Sequence, residues 1–208
     1  MRIQRDQVVT TALALLAKDG LEGLTMRKLA QVLHIQAPSL YWHFDSKQAL
    51  VDGIADALVE KVARDIPAGQ PWDTTLRQVA GELREALRTH RDGARVFAGT
   101  YVVTDNVMRV GEAMIAACVQ AGADTALATD TTFSVLYYVL GLVMEEQGLG
   151  PEGGIDVAVR TAAFVKLAKE KYPHSLAARD VIFDPDFDTR FATGLELLVT
   201  GLQTKLSG

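Results

Sequence analysis

One cysteine in 208 residues, 7% aromatic side chains and no overall excess of positive charge exclude several classes of protein at the outset. A lone Cys118 cannot build a disulfide framework, and no Cys/His pairs stand at zinc-ligand spacing. A reducing cytoplasm is therefore the expected compartment, with neither metal nor cofactor. The start, MRIQRDQVV, lacks the charged segment, apolar run and small-residue cleavage site that export requires. The longest uncharged apolar run, TTFSVLYYVLGLVM from Thr131 to Met144, falls short of the ~20 residues that cross a bilayer. It reads as a deeply buried helix, and no membrane partner is expected. Alternating valine- and isoleucine-rich strands, fixed-period repeats and glycine-rich phosphate loops are all missing.

What the sequence does have is 49% hydrophobic residues, set mostly at helical spacing. Residues 4 to 18 place Val8, Ala12, Leu15 and Leu16 on one stripe, and Gly20 follows where a helix would stop. Thr25 offers an N-cap to MRKLAQVL, with Leu29, Ala30 and Leu33 facing inward. His34 falls in a short turn, at a position suited to left-handed geometry. Ala37-Pro38 opens a third helix in which Leu40 and Phe44 form an i,i+4 apolar pair. Asp45 or Ser46 caps a fourth helix running towards Ile66-Pro67. Beyond the linker IPAGQP, helices are expected from Trp72 to His90, Ala94 to Ala98, Asp105 to Ala121, Asp124 to Gln147, Ile155 to Lys171 and Phe187 to Leu206. The Gly-rich GLGPEGG at 148–154 reads as a loop. The fold class expected is all-α.

The first four helices carry the most specific signal. A capped helix, a tight turn and a short helix with one apolar side form a helix-turn-helix, whose second helix enters the DNA major groove. Although the whole chain carries -5, residues 1–48 hold six cations against four carboxylates, so this segment is the part suited to an anion. With Leu40 and Phe44 inward, the helical period turns Pro38, Ser39, Tyr41 and Trp42 largely outward. Pro38 offers apolar surface to thymine methyls, Ser39 and Tyr41 offer hydroxyls, and His43 offers a phosphate partner. Arg27 suits guanine, and Lys47 suits a phosphate. Thr25 and Lys28 flank this surface, Lys28 as solvated helix face. Trp42, the largest side chain, is expected to lean on the core between the small domain's helices.

The run LEGLTMRKLAQVLHIQAPSLYWHFDSKQAL, from Leu21 to Leu50, resembles the DNA-binding domain of the tetracycline-repressor (TetR) family, and within it the branch closest to the tetracycline repressors. The similarity continues through RDGARVFAGT, YYVLGLVMEEQ and FATGLELLVTGL. It implies a helix-turn-helix domain over residues 1–48, a connecting helix over 46–66, and an effector-binding and dimerisation domain over 67–208. It also implies a double-stranded operator, contacted at the positions of Arg27, Ala37, Pro38, Ser39, Tyr41, His43 and Lys47. Ala37 replaces a glutamine that reads adenine in the tetracycline repressors, and Met26 replaces a threonine.

For the ligand, the resemblance places Phe97 where those repressors have a metal-binding histidine, and phenylalanine cannot ligate a metal. Val79 stands for an asparagine and Leu83 for a phenylalanine, while Glu145 matches a pocket glutamate. Tyr101 and Tyr137 complete the expected walls of an apolar pocket, so the effector should be a small apolar or aromatic molecule. The family's homodimer forms through a C-terminal four-helix bundle. Consistent with that, the helix around Phe133 to Met144 is apolar nearly all round, and Phe191, Leu195, Leu198 and Leu202 form a stripe that needs a partner. The competing class is an α-helical small-molecule scaffold or enzyme without DNA binding. Its candidates would be His90 beside Asp92, or Cys118, but no nucleophile, base and orienting group stand together.

Overall fold

The computed structural model describes residues 4–150 and 154–207; within the GLGPEGG segment, Gly148 and Leu149 are helical and 151–153 lie outside the described residues. The described residues contain helices and no strand. The order is α1 Arg5–Gly23, α2 Met26–Val32, α3 Ala37–Tyr41, α4 Lys47–Leu58, α5 Trp72–Arg88, α6 Gly93–Ala98, α7 Asp105–Gln120, α8 Thr125–Leu149, α9 Val157–Lys171, α10 Pro173–Ala177, α11 Arg179–Ile182 and α12 Phe187–Leu206. An N-terminal helix-turn-helix domain is followed by a larger helical domain.

The small domain folds around its apolar periodicity. Val8, Ala12, Leu16, Leu29, Leu40, Phe44, Leu50 and Ile54, from α1 to α4, are all buried in one core. Gly20 adopts φ +70°, breaking α1 where a stop was expected, yet one further helical turn follows to Gly23. His34 takes φ +54° between α2 and α3, the left-handed geometry its place in the turn required.

The connecting helix is shorter than the sequence implies. It ends at Leu58 rather than near 66, and Val59 to Ala63 form turns, with Ala63 at φ +55°. The reason lies elsewhere in the chain: Arg109 of α7 binds carbonyls of this segment, and Glu82 of α5 binds the Ala63 N–H. These groups are drawn out of the helical ladder by body helices that no local reading could supply.

In the larger domain, α5, α7 and α8 pack on one another, and α12 covers α8 and α5. By length and composition α8 is a helix that could cross a membrane, but its apolar side chains are shared between two uses. Ala128, Thr132, Val135, Val139 and Val143 are buried within the chain, whereas Phe133, Tyr137 and Met144 lie open along the opposite face. The expected deep burial therefore holds for one face only. The α12 stripe is also used differently than expected: Leu195 and Leu202 are buried and Phe191 and Leu198 half-buried within this chain, leaving Leu197, 71% exposed, on the open side. A helix packed on α5 and α8 finds its apolar partner at home and has only its other face to offer.

Two polar features fix these helices. Arg84 of α5, whose side chain is 8% exposed, donates to Glu146 of α8 at 3.0 and 3.2 Å and to Asp188 of α12 at 2.6 Å, and its guanidinium lies 5.0 Å from the Phe191 ring. Burial works against its charge, but the hydrogen bonds to Asp188 and Glu146 override it and hold its pKa above the ordinary value. Tyr138 of α8 donates to the carbonyls of Arg190 and Phe191, at 2.7 and 3.1 Å, with its ring stacked on Phe191. A Cβ at Gly194 would fall on the Tyr138 ring. Cys118 is fully buried, and burial pushes its thiol pKa up.

Candidate nucleic-acid interface

The candidate reading surface is built from α2, α3 and the start of α4. Thr25 is the extended N-cap of α2; its hydroxyl accepts the Lys28 N–H at 3.2 Å. Arg27, one position into the helix, is exposed. Lys28 is turned back instead: its Nζ lies 2.8 Å from Asp19 of α1, and that hydrogen bond holds the Asp19 carboxyl below its usual range. The cation most available on α2 is therefore Arg27.

Helix α3 has five residues and one anchored side. Leu40 is fully buried, and Phe44, whose N–H donates to the Leu40 carbonyl at 2.9 Å, packs beside it. Arg5, outside the expected contact residues, lies with its guanidinium 4.6 Å from the Phe44 ring. Two positions from Leu40 is about 200° around a helix. Trp42 therefore faces away from the core, and at 89% exposure it corrects the expectation that it would lean inward. Pro38 is exposed, Tyr41 is 51% exposed, and Ala37, Ser39 and His43 are half-buried. Ser46 caps α4 by accepting the Ala49 N–H at 3.0 Å, which leaves Lys47 exposed at the helix start beside this group. The exposed part of the surface thus combines two cations, a tyrosine hydroxyl and apolar ring surface, the chemistry that phosphates and base edges accept.

The small domain meets the larger one at the break in α1. Asp92, in left-handed geometry at φ +58°, accepts the Leu21 N–H at 2.8 Å and pairs with Arg95 at 3.0 Å. Arg95 reaches Glu22 at 3.3 Å, and Arg91 donates to the Lys18 carbonyl at 3.1 Å. Only glycine fits at position 20, where a Cβ would stand 2.9 Å from the Asp92 carboxylate in a backbone conformation that other residues resist. A cleft of about 590 Å³ opens at this seam, lined by residues that include Asp19, Glu22, Arg88, Met144 and Glu146. His90 rests on the Ala86 carbonyl and Asp92 is engaged with α1, so these two neighbours in sequence have separate partners.

The six expected ligand residues differ widely in exposure. Val79 and Leu83 are fully buried in the core and Phe97 is half-buried against it. Tyr101 is 98% exposed in the segment that follows α6, which ends at Ala98. Tyr137 is 62% exposed and Glu145 is exposed on α8. None of the six lines the seam cleft.

Comparison with known proteins agrees with this architecture. A family model described as "Bacterial regulatory proteins, tetR family" matches residues 8–54, and one described as "Tetracyclin repressor-like, C-terminal domain" matches residues 66–206. The class A tetracycline repressor from transposon 1721 of Escherichia coli is 35% identical, covering 97% of this chain and 91% of its own. A possible TetR family regulator from Streptomyces coelicolor A3(2) is 37% identical, covers 97% of this chain and 99% of its own, and superposes with a TM-score of 0.87. ActR of Streptomyces coelicolor, solved with actinorhodin, is 26% identical with a TM-score of 0.88 over 100% of both chains. Proteins of this kind are generally not enzymes. With its helix-turn-helix and its larger domain both matched, the chain belongs to the TetR family of ligand-responsive transcriptional repressors.

Proposed function

We propose that two copies of this chain read a palindromic operator in the cytoplasm with paired α3 helices, and release it when a small apolar or aromatic effector binds the larger domain. The observation that carries this reading is the outward face of α3. Pro38, Tyr41 and Trp42 are exposed, while Leu40 within α3 and Phe44 three residues beyond its end are buried and anchor it. Dimerisation is supported by the open stripe of Phe133, Tyr137 and Met144 on α8 beside Leu197 of α12. Closing these faces about a two-fold axis would place the α3 helices one groove turn, about 34 to 36 Å, apart. A sedimentation measurement giving a monomer at micromolar concentration would contradict it.

Selection on random duplex DNA tests the function directly: enrichment of a palindrome is expected, and enrichment of nothing refutes the reading. The selected site should differ from the tetracycline operator, because Ala37 cannot make the bidentate adenine contact of a glutamine. Ala37→Gln should shift preference at one base pair per half-site towards adenine by about 1 to 3 kcal/mol, measured by competition between duplexes differing at that pair. An unchanged preference would place Ala37 off the bases.

The effector reading rests on the donor set. Phe97, where the resemblance implies a metal-binding histidine, offers no metal ligand. Magnesium-tetracycline is therefore not the effector proposed. Coupling runs through the seam near residues 88–93, where Asp92 holds the end of α1 and Arg95, just beyond, reaches Glu22. The effector shifts the heads only by binding the non-operator arrangement more tightly than the operator-bound one.

A further inference from the structure

Helix α4 leaves the small domain's core and ends against the larger domain, where the Val59 and Glu60 N–H groups close it onto the Asp56 and Ala57 carbonyls. A helix C-terminus exposes carbonyls that need donors. Beyond α4, Arg109 of α7 supplies donors to the turn that follows: Nη2 donates to the Val59 carbonyl at 3.2 Å and the Glu60 carbonyl at 2.7 Å, and Nε donates to the Val62 carbonyl at 3.0 Å. The guanidinium is itself oriented by Asn106, whose Oδ1 accepts from Nη1 at 2.9 Å. A cation here also meets the negative end of the α4 dipole.

The other side of the same turn is held by a different helix. Glu82 of α5 accepts the Ala63 N–H at 2.7 Å, and Gln78 donates to Glu82 at 2.8 Å and to the Asp65 carbonyl at 3.2 Å. Residues 59–65 thus sit between two supports, one on α7 and one on α5, helices that pack directly against each other. We propose that Arg109 and Glu82 are positioning residues, the two halves of a socket in which α4 pivots, so that the spacing of α5 and α7 sets the separation of the reading heads. The inference rests on the dimeric regulator reading above. If the two halves move apart, the turn cannot keep both, and α4, about 18 Å long, carries the displacement to α3.

The test uses the full-length dimer with Cys118→Ala and a spin label at Thr10→Cys, an exposed position on α1. Inter-head distances are measured by double electron–electron resonance, and affinity is measured for the duplex enriched in the selection. Arg109→Met and Glu82→Gln should each broaden or shift the distance distribution and weaken operator binding by about threefold to thirtyfold, with helix content and dimer retained. Arg109→Lys, which keeps the charge but serves fewer carbonyls, should fall between Arg109→Met and wild type; should the methionine variant fail to fold, the lysine variant carries the same test. A lower Tm with unchanged head distances and unchanged affinity would overturn the socket and leave Arg109 a mere staple. If the wild-type dimer enriches no duplex, the regulator reading fails, while the distances in the free dimer still decide whether the socket positions the heads.

Discussion

Replacing Tyr41 and Lys47 together by alanine should weaken operator binding at least about a hundredfold while leaving the dimer and its Tm nearly unchanged. Both residues are exposed and neither belongs to the small domain's core, so their loss removes no packing. In a dimer the double change deletes four contacts, each worth about 1 kcal/mol as a hydrogen bond and more where a phosphate is the partner. The salt dependence should change as well. Two lost lysine–phosphate contacts lower the slope of log K against log salt by roughly two units. Weakened binding with an unchanged slope would mean that Lys47 does not touch a phosphate, and full binding would place the reading surface elsewhere. An α-helical scaffold or enzyme without DNA binding would show no effect in either measurement.

Arg84→Ala should be the most damaging change outside the reading head, costing about 3 kcal/mol in urea unfolding. The substitution removes both short hydrogen bonds to Glu146, whose side chain is 20% exposed and whose remaining cation, Arg88, stands at 3.8 Å, and it removes the cation over the Phe191 ring. Asp188 contributes less to this figure, because its side chain is mostly in water and screened. Arg84→Met should cost less than the alanine change, since it refills the volume and still covers Phe191. If the two variants were equally destabilised, packing would be irrelevant and the ion pair alone would account for the loss.

How much of this was legible in the sequence depends on the range of the forces involved. The spans of the long helices, the left-handed turn at His34, the break at Gly20 and the inward pair Leu40 and Phe44 all follow from local patterning. Trp42 was misread because its size suggests core, whereas its position relative to Leu40 dictates the opposite face. The α12 stripe is legible as apolar, but Leu195 and Leu202 are buried within the chain itself, since periodicity shows that a face is buried and not what buries it. The end of α4 and the role of Arg84 were not legible at all. Arg109 meets α4 across 47 to 50 residues of sequence, and Arg84 meets Asp188 across 104. Helices α10 and α11, of five and four residues, are too short to show a period. Of the site, the exposed reading surface could be foreseen, but the seam at Asp92 and Arg95 could not be resolved below the level of a segment.

Tyr138 lies flat where any side chain at position 194 would have to stand, and its hydroxyl is already committed to two carbonyls of α12. The aromatic ring is therefore the spacer between α8 and α12, the same two helices that present Phe133, Tyr137 and Leu197 outward. Among relatives the two positions should covary: a larger residue at 194 is tolerable only where 138 has shrunk. Through that one ring, the registration of the outward faces of α8 and α12 is inherited as a unit.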